Sequence, residues 1–186
     1  MPLLLRLALL WCLFSAAGLQ AEPVRGGFDF PDQLGPYARV RIDDFEQRQA
    51  GLGTGISYRT PGVTVSVYVY TLGQNGLEDG IASPAAQAQF RSAQNDIRQS
   101  YADTQTLQPG ETLDIGGLPW LHSEHRFTAR FADGSAPAGS HLFLSIVRGH
   151  FIKLRITHGL QGAAERGSRL REELLLPLSA VLKPAR

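Results

Sequence analysis

The sequence predicts an α+β fold: an antiparallel sheet of about six strands with two main helices, arranged as strands, helix, strands, helix. Three observations carry this. Segments alternating apolar and polar residues lie next to one another with turn residues between them. The two stripes of helical spacing stand apart, instead of alternating with single strands as a parallel sheet requires. The chain of 186 residues, 43% of them hydrophobic, suits one core and one domain.

In chain order, Glu22 to Tyr37 carries Gly26, Gly27, Pro31, Gly35 and Pro36 and reads as an irregular lead-in. Val40 to Phe45 and Gly55 to Arg59 are short strands joined by a glycine-rich turn at Gly51, Gly53 and Gly55. No helix start follows those glycines, so they do not form a phosphate loop. Val63 to Tyr70 is the clearest strand, with Val63, Val65, Val67 and Val69 on the core face and Thr64, Ser66, Tyr68 and Tyr70 on the other. Ser83 as N-cap and Pro84 at the first helical position start a helix to about Tyr101. Its buried stripe is Ala86, Phe90, Ala93, Ile97 and Tyr101, with Arg91, Gln94, Asn95 and Arg98 in solvent.

A loop containing Pro109-Gly110 and Gly116-Gly117 leads to a second group of strands. Trp120 to Phe131 alternates between an odd set from Leu121 to Phe131 and an even set from Trp120 to Arg130. Ala132 to Gly139 reads as a hairpin loop, followed by strands His141 to Val147 and Phe151 to Thr157. If Leu142, Leu144 and Ile146 share one core face with Ile152, Leu154 and Ile156, then Ile146 pairs with Ile152 around a three-residue loop, Arg148-Gly149-His150. Ala163, Gly167, Leu170, Leu174, Leu178 and Val181 form the second helical stripe, ending or kinking at Pro177. If that helix covers the remaining sheet face, the fold is three-layered.

The N-terminus gives an address. Arg6, the apolar run Leu7 to Phe14 and the small residues Ser15, Ala16, Ala17 and Gly18 have the three parts of a secretory signal peptide, cut after Ala21 or nearer Ala17. The organisation is therefore a cleaved leader at 1–21, the lead-in at 22–37 and one domain at 38–186, in the periplasm or secreted. Cleavage removes Cys12, the only cysteine, which leaves no disulfide, thiolate nucleophile or thiolate metal site. It also removes Arg6, so the net charge falls from +1 to zero, which disfavours nucleic-acid binding through bulk charge. No second apolar run approaches the length of a membrane span.

The element order, with Phe28-Asp29-Phe30-Pro31 ahead of the first strand, resembles the PsbP-like sandwich, an antiparallel sheet flanked by helices in small exported proteins. That resemblance implies binding, assembly or adaptor roles without a shared catalytic site, and transfers no functional residue.

The chemistry-bearing candidates are few. His122, Glu124 and His141 could begin a His2Glu metal set, although the expected pairing separates His122 from His141, and His125 points to the other face. The bland alternative pairs Glu124 with Arg126 or Arg130. No Gly-x-Ser-x-Gly elbow occurs, and Asp43, Asp44 and Glu46 read as surface acids near a turn. The strongest expectation is a recognition surface on the non-core face, made by Tyr68, Tyr70, Trp120, Arg126, Arg130, Lys153 and Arg155 with Phe143. It is open to a partner, or covered by the C-terminal helix. The sequence thus predicts an exported, non-enzymatic binding protein without a cofactor, its partner another envelope or secreted protein. An immunity or inhibitor protein and an accessory of an envelope complex both fit. The alternatives are a small-ligand carrier and, behind it, a metal-dependent hydrolase.

Overall fold

The computed structural model describes residues 26–131, 134–160 and 169–183. The leader at 1–21, the Ala132–Asp133 part of the expected hairpin loop and the Ala163–Gly167 start of the expected second helix lie outside the described residues.

The elements are β1 (Gln33–Leu34), β2 (Tyr37–Asp44), β3 (Thr54–Thr60), β4 (Val63–Tyr70), α1 (Pro84–Ser100), β5 (Gln105–Ile115), β6 (Leu118–Phe131), β7 (Gly134–Val147), β8 (His150–Gly159) and α2 (Leu176–Leu182). All strands join one antiparallel sheet in the order β1-β2-β3-β4-β8-β7-β6-β5. This corrects the expected balance of six strands and two main helices, because the fold is dominated by an eight-stranded sheet.

The additional strand pairing comes from segments without apolar alternation. β5 is an edge strand, exposed over most of its length, with Pro109-Gly110 and two register shifts; it keeps its ladder with β6 although only Leu113 and Ile115 at its end reach the core. The first half of β7, expected as loop, is held by pairing Gly134 to Gly139 against Arg126 to Phe131. In the lead-in, Gln33–Leu34 pairs with Tyr37–Ala38, and Phe28, Phe30, Leu34 and Tyr37 are buried.

Ser83 caps α1 as expected, its hydroxyl accepting the Ala86 N–H at 3.2 Å, and Tyr101 is the C-cap. Gln94, expected in solvent, is buried and donates its side-chain amide to the Pro109 carbonyl. The apolar side of α1 packs on Leu121, Phe127, Leu142, Leu144, Ile146 and Phe151. The opposite sheet face is covered by the lead-in and the C-terminal segment, where Leu170, Leu174, Leu178 and Leu182 meet Val65, Val67, Leu154 and Ile156. Burying each such side chain contributes roughly 1.5–3 kcal/mol. Ahead of Pro177 the helix widens into a π turn, Arg171–Leu175, with the Leu176 N–H reaching the Arg171 carbonyl. The loosened turn accommodates a residue that cannot donate.

The β7–β8 register also corrects expectation. Ile146 pairs with Phe151 and Val147 with His150, leaving the two-residue turn Arg148-Gly149 with φ of 52° and 67°. Positive φ at both positions matches a type I′ hairpin. The Asp79 carboxylate accepts both turn amides, Arg148 N–H at 2.9 Å and Gly149 N–H at 2.8 Å, which holds a non-glycine residue in the left-handed region. Leu142, Leu144 and Ile146 therefore face α1, while Ile152, Leu154 and Ile156 face the C-terminal segment. Because both faces are buried, both sets are core.

Candidate functional site

The register places Tyr68 opposite Lys153 and Ser66 opposite Arg155, all on the α1 face. α1 stands over β6, β7 and the end of β8, leaving the β2–β4 half of this face beside it. There Ser57, Thr64, Ser66, Tyr68, Lys153 and Arg155 are half-buried, while Arg41 and Arg59 are exposed.

Cations and rings alternate across this half-face. The Arg48 guanidinium lies 5.5 Å from the Phe45 ring centre, Phe45 stacks on Tyr68 at 6.4 Å, and Lys153 Nζ lies 4.6 Å from the Tyr68 ring and 5.7 Å from Tyr70. Arg155 lies 5.2 Å from the Tyr101 ring and 5.5 Å from Phe127, themselves stacked at 3.8 Å. Its Nε donates to Ser140 Oγ at 3.4 Å, while its Nη2 is buried without a hydrogen-bond partner. Burial lowers the Lys153 pKa; Asp96 on α1 partly offsets this, and Arg155 adds to it. Among the described residues neither Lys153 nor Arg155 forms an ion pair with a carboxylate, whereas Arg41 pairs with Asp43 at 2.7 Å. Two cations are thus withdrawn from water beside rings, with charge left to satisfy. Tyr70 is buried, its hydroxyl accepting from Gln89 at 2.9 Å, and burial raises its pKa.

The structure thus brings together Tyr68, Tyr70, Lys153 and Arg155 but separates them from the rest of the expected surface. Trp120 is buried on the opposite face, edge-on to Phe143. Arg126 and Arg130 are exposed, and their even positions on β6 put them on that opposite face as well. Placing the two apolar sets of β7 and β8 on one side had merged two faces. Phe45, Arg48 and Tyr101 were missed because each lies outside a regular strand or at a helix cap, where alternation carries no signal.

The opposite face holds the histidines. His122 and His141, expected far apart, meet at 3.1 Å between Nε2 and Nδ1, and His141 Nε2 lies 3.4 Å from His158 Nε2. Glu111 accepts from His122 Nδ1 at 2.8 Å, a bond that lowers the Glu111 pKa. Glu124 sits opposite His141 in the ladder. His141 offers opposite ring nitrogens to its two neighbours, so one ion cannot reach all three rings at bonding distance. Among the described residues no group of three metal-competent side chains is placed to hold an ion. Beside His122 and His141 a cleft of about 170 Å³ opens, walled by Leu113, Phe143, Leu170 and Leu175, with Arg171 at its edge. Ser123 and His125 form a 2.9 Å pair completely buried on the α1 face, without access for a substrate. Burial, then the charges of Arg98, Arg155 and His122, lowers the His125 pKa to about 4.

No protein-family model matches the chain, and no curated protein matches it at a significant level of similarity. Among the described residues, no helix is long and apolar enough to cross a membrane.

Proposed function

We propose that this protein is an exported, non-enzymatic binding protein that takes an acidic segment of a partner protein onto the half-face beside α1. One observation carries the reading: Lys153 and Arg155 are partly desolvated next to Tyr68 and Tyr101 without a carboxylate partner among the described residues. Carboxylates from a partner would supply the missing acceptors, and Tyr68 and Phe45 would supply rigid apolar area. The PsbP-like element order favours a binding, assembly or adaptor role by analogy.

Affinity capture from the envelope fraction of the source cell tests this, run in parallel with wild type and a Lys153→Met, Arg155→Met variant. The expected result is one stoichiometric protein retained by wild type alone, cross-linking near Tyr68. Equal retention by both proteins, or no retention by either, overturns the reading. The cleft beside His122 supports a second reading, a carrier of a small apolar ligand, for which native mass spectrometry of the purified protein would reveal a retained mass.

A further inference from the structure

On the histidine face, hydrogen bonds run in series across four strands. Glu111 on β5 accepts from His122 Nδ1, His122 Nε2 meets His141 Nδ1, His141 Nε2 meets His158 Nε2, and His158 Nδ1 donates to the Gly159 carbonyl at 3.0 Å. All six ring nitrogens are engaged. Both ends of the chain are acceptors, an ionised carboxylate and a backbone carbonyl. Each of the four bonds needs one proton, and three neutral imidazoles bring only three. We infer that Glu111, His122, His141 and His158 form a proton-holding site that takes up one proton beyond neutrality, shares its charge between His122 and His158 through His141, and thereby fixes the wall of the cleft under the C-terminal segment.

The excess proton has two resting places. With His122 as imidazolium, His141 donates from Nε2 and His158 from Nδ1. If the His122 Nε2 proton moves to His141 Nδ1 while the His141 Nε2 proton moves to His158 Nε2, the charge arrives on His158 and the two bonds between rings are remade in the reverse sense, while the two end bonds keep their donors. The central ring is the least suited to hold the charge. Burial first, then the charges of His122, His158 and His125, lowers its pKa to about 4. Glu111 balances the charge from the exposed edge strand. Glu124 and Arg126 share this face from β6, and Arg171 stands at the cleft from the C-terminal segment. Among the described residues, Glu111 is the only carboxylate hydrogen-bonded to one of the three rings.

This count gives the site two pH edges. Loss of the extra proton sets two lone pairs against each other at one junction, and gain of a second sets two N–H groups against each other. Gain of a second proton breaks one of the two bonds made by His141, and loss of the extra one leaves one of the four bonds unmade, three of which involve His122 or His141, the rings that line the cleft. The site is thus a pH-sensitive element, independent of the cationic half-face.

Imidazole 1H–15N spectra of the labelled protein between pH 4 and 9 count the protons directly. The expected result is a plateau with four of the six ring nitrogens protonated, bounded by a step on each side. Glu111→Gln should move the upper step down by about one pH unit or more, because it removes the balancing charge. Glu111 lies on an exposed edge, so this variant should retain its fold, checked by circular dichroism. His141→Phe should let His122 and His158 titrate independently. Three protonated nitrogens throughout the neutral range, an unmoved upper step in Glu111→Gln, or coupled titration persisting in His141→Phe would each overturn the inference.

Discussion

Along β8, Ile152, Leu154 and Ile156 are fully buried beneath the C-terminal segment and lead-in, whereas the alternating residues Lys153, Arg155 and Thr157 emerge half-buried beside α1. The same ten-residue strand therefore builds a dry core layer and a charged half-open layer. The difference lies in what covers each side. The C-terminal leucines and Phe28, Phe30 and Tyr37 close the apolar face of β3 and β4, while α1, laid over β6 and β7, reaches only Tyr70 at the end of β4 and leaves the rest of the other face of those strands half-open. Polar groups follow the cover. Histidines on the closed face satisfy one another through a chain, and cations on the open face keep unfilled donors.

The largest expected effect tests the closed side. Leu178→Ala should lose about 2–5 kcal/mol in denaturant unfolding, because the side chain is fully buried against the sheet. A loss below about 1 kcal/mol would mean that the C-terminal segment does not seal this face. Next comes pH. His125 and His141 have pKa values lowered to about 4 by burial, so between about pH 6.5 and 4 the unfolded chain binds up to two more protons than the folded one. The stability their neutral rings contribute is present above the unfolded pKa and falls as pH drops through this window, by roughly 2–3 kcal/mol per pH unit at its steepest. His125→Asn should reduce that slope by about half; an unchanged slope would place the protons elsewhere.

Smaller changes sharpen the contrast. Asp79→Ala removes the acceptor for two amides of the β7–β8 turn and should cost about 1–3 kcal/mol by thermal unfolding. No loss would mean that Arg148-Gly149 holds its conformation unaided. On the open side, Lys153→Met should change stability by less than about 1 kcal/mol in either direction, since removing an unpaired, partly buried charge offsets the lost cation–π contact. A larger loss would identify Lys153 as structural.

The sequence was legible where one physical rule acted alone. The alternation of Val63 to Tyr70 and the Ser83-Pro84 start of α1 translate directly into structure. β5 was not legible, because an edge strand needs only ladder bonds and tolerates Pro109; neither was the first half of β7, which is a strand through its partner β6. The sidedness of the site failed for a related reason. Leu142, Leu144 and Ile146 were assumed to share a face with Ile152, Leu154 and Ile156, a rule that holds for a sheet with one buried side. With both sides buried, the two-residue turn sets the register instead and divides Trp120, Arg126 and Arg130 from Tyr68, Lys153 and Arg155. The β6–β7 pairing brings His122 to His141 and the β7–β8 pairing brings His141 to His158, a proximity that no local spacing encodes.

The central claim, that the uncovered half-face reads acidic groups, is tested most directly by fluorescence anisotropy of a labelled glutamate-rich peptide at about 0.15 M salt, an ionic strength that screens loose surface attraction. Wild type should bind it in preference to a lysine-rich peptide, the Lys153→Met, Arg155→Met protein should bind at least about tenfold more weakly, a loss of about 1.4 kcal/mol, and Arg126→Met on the opposite face should bind as wild type does. Absence of binding, or an equal loss in Arg126→Met, would contradict the account.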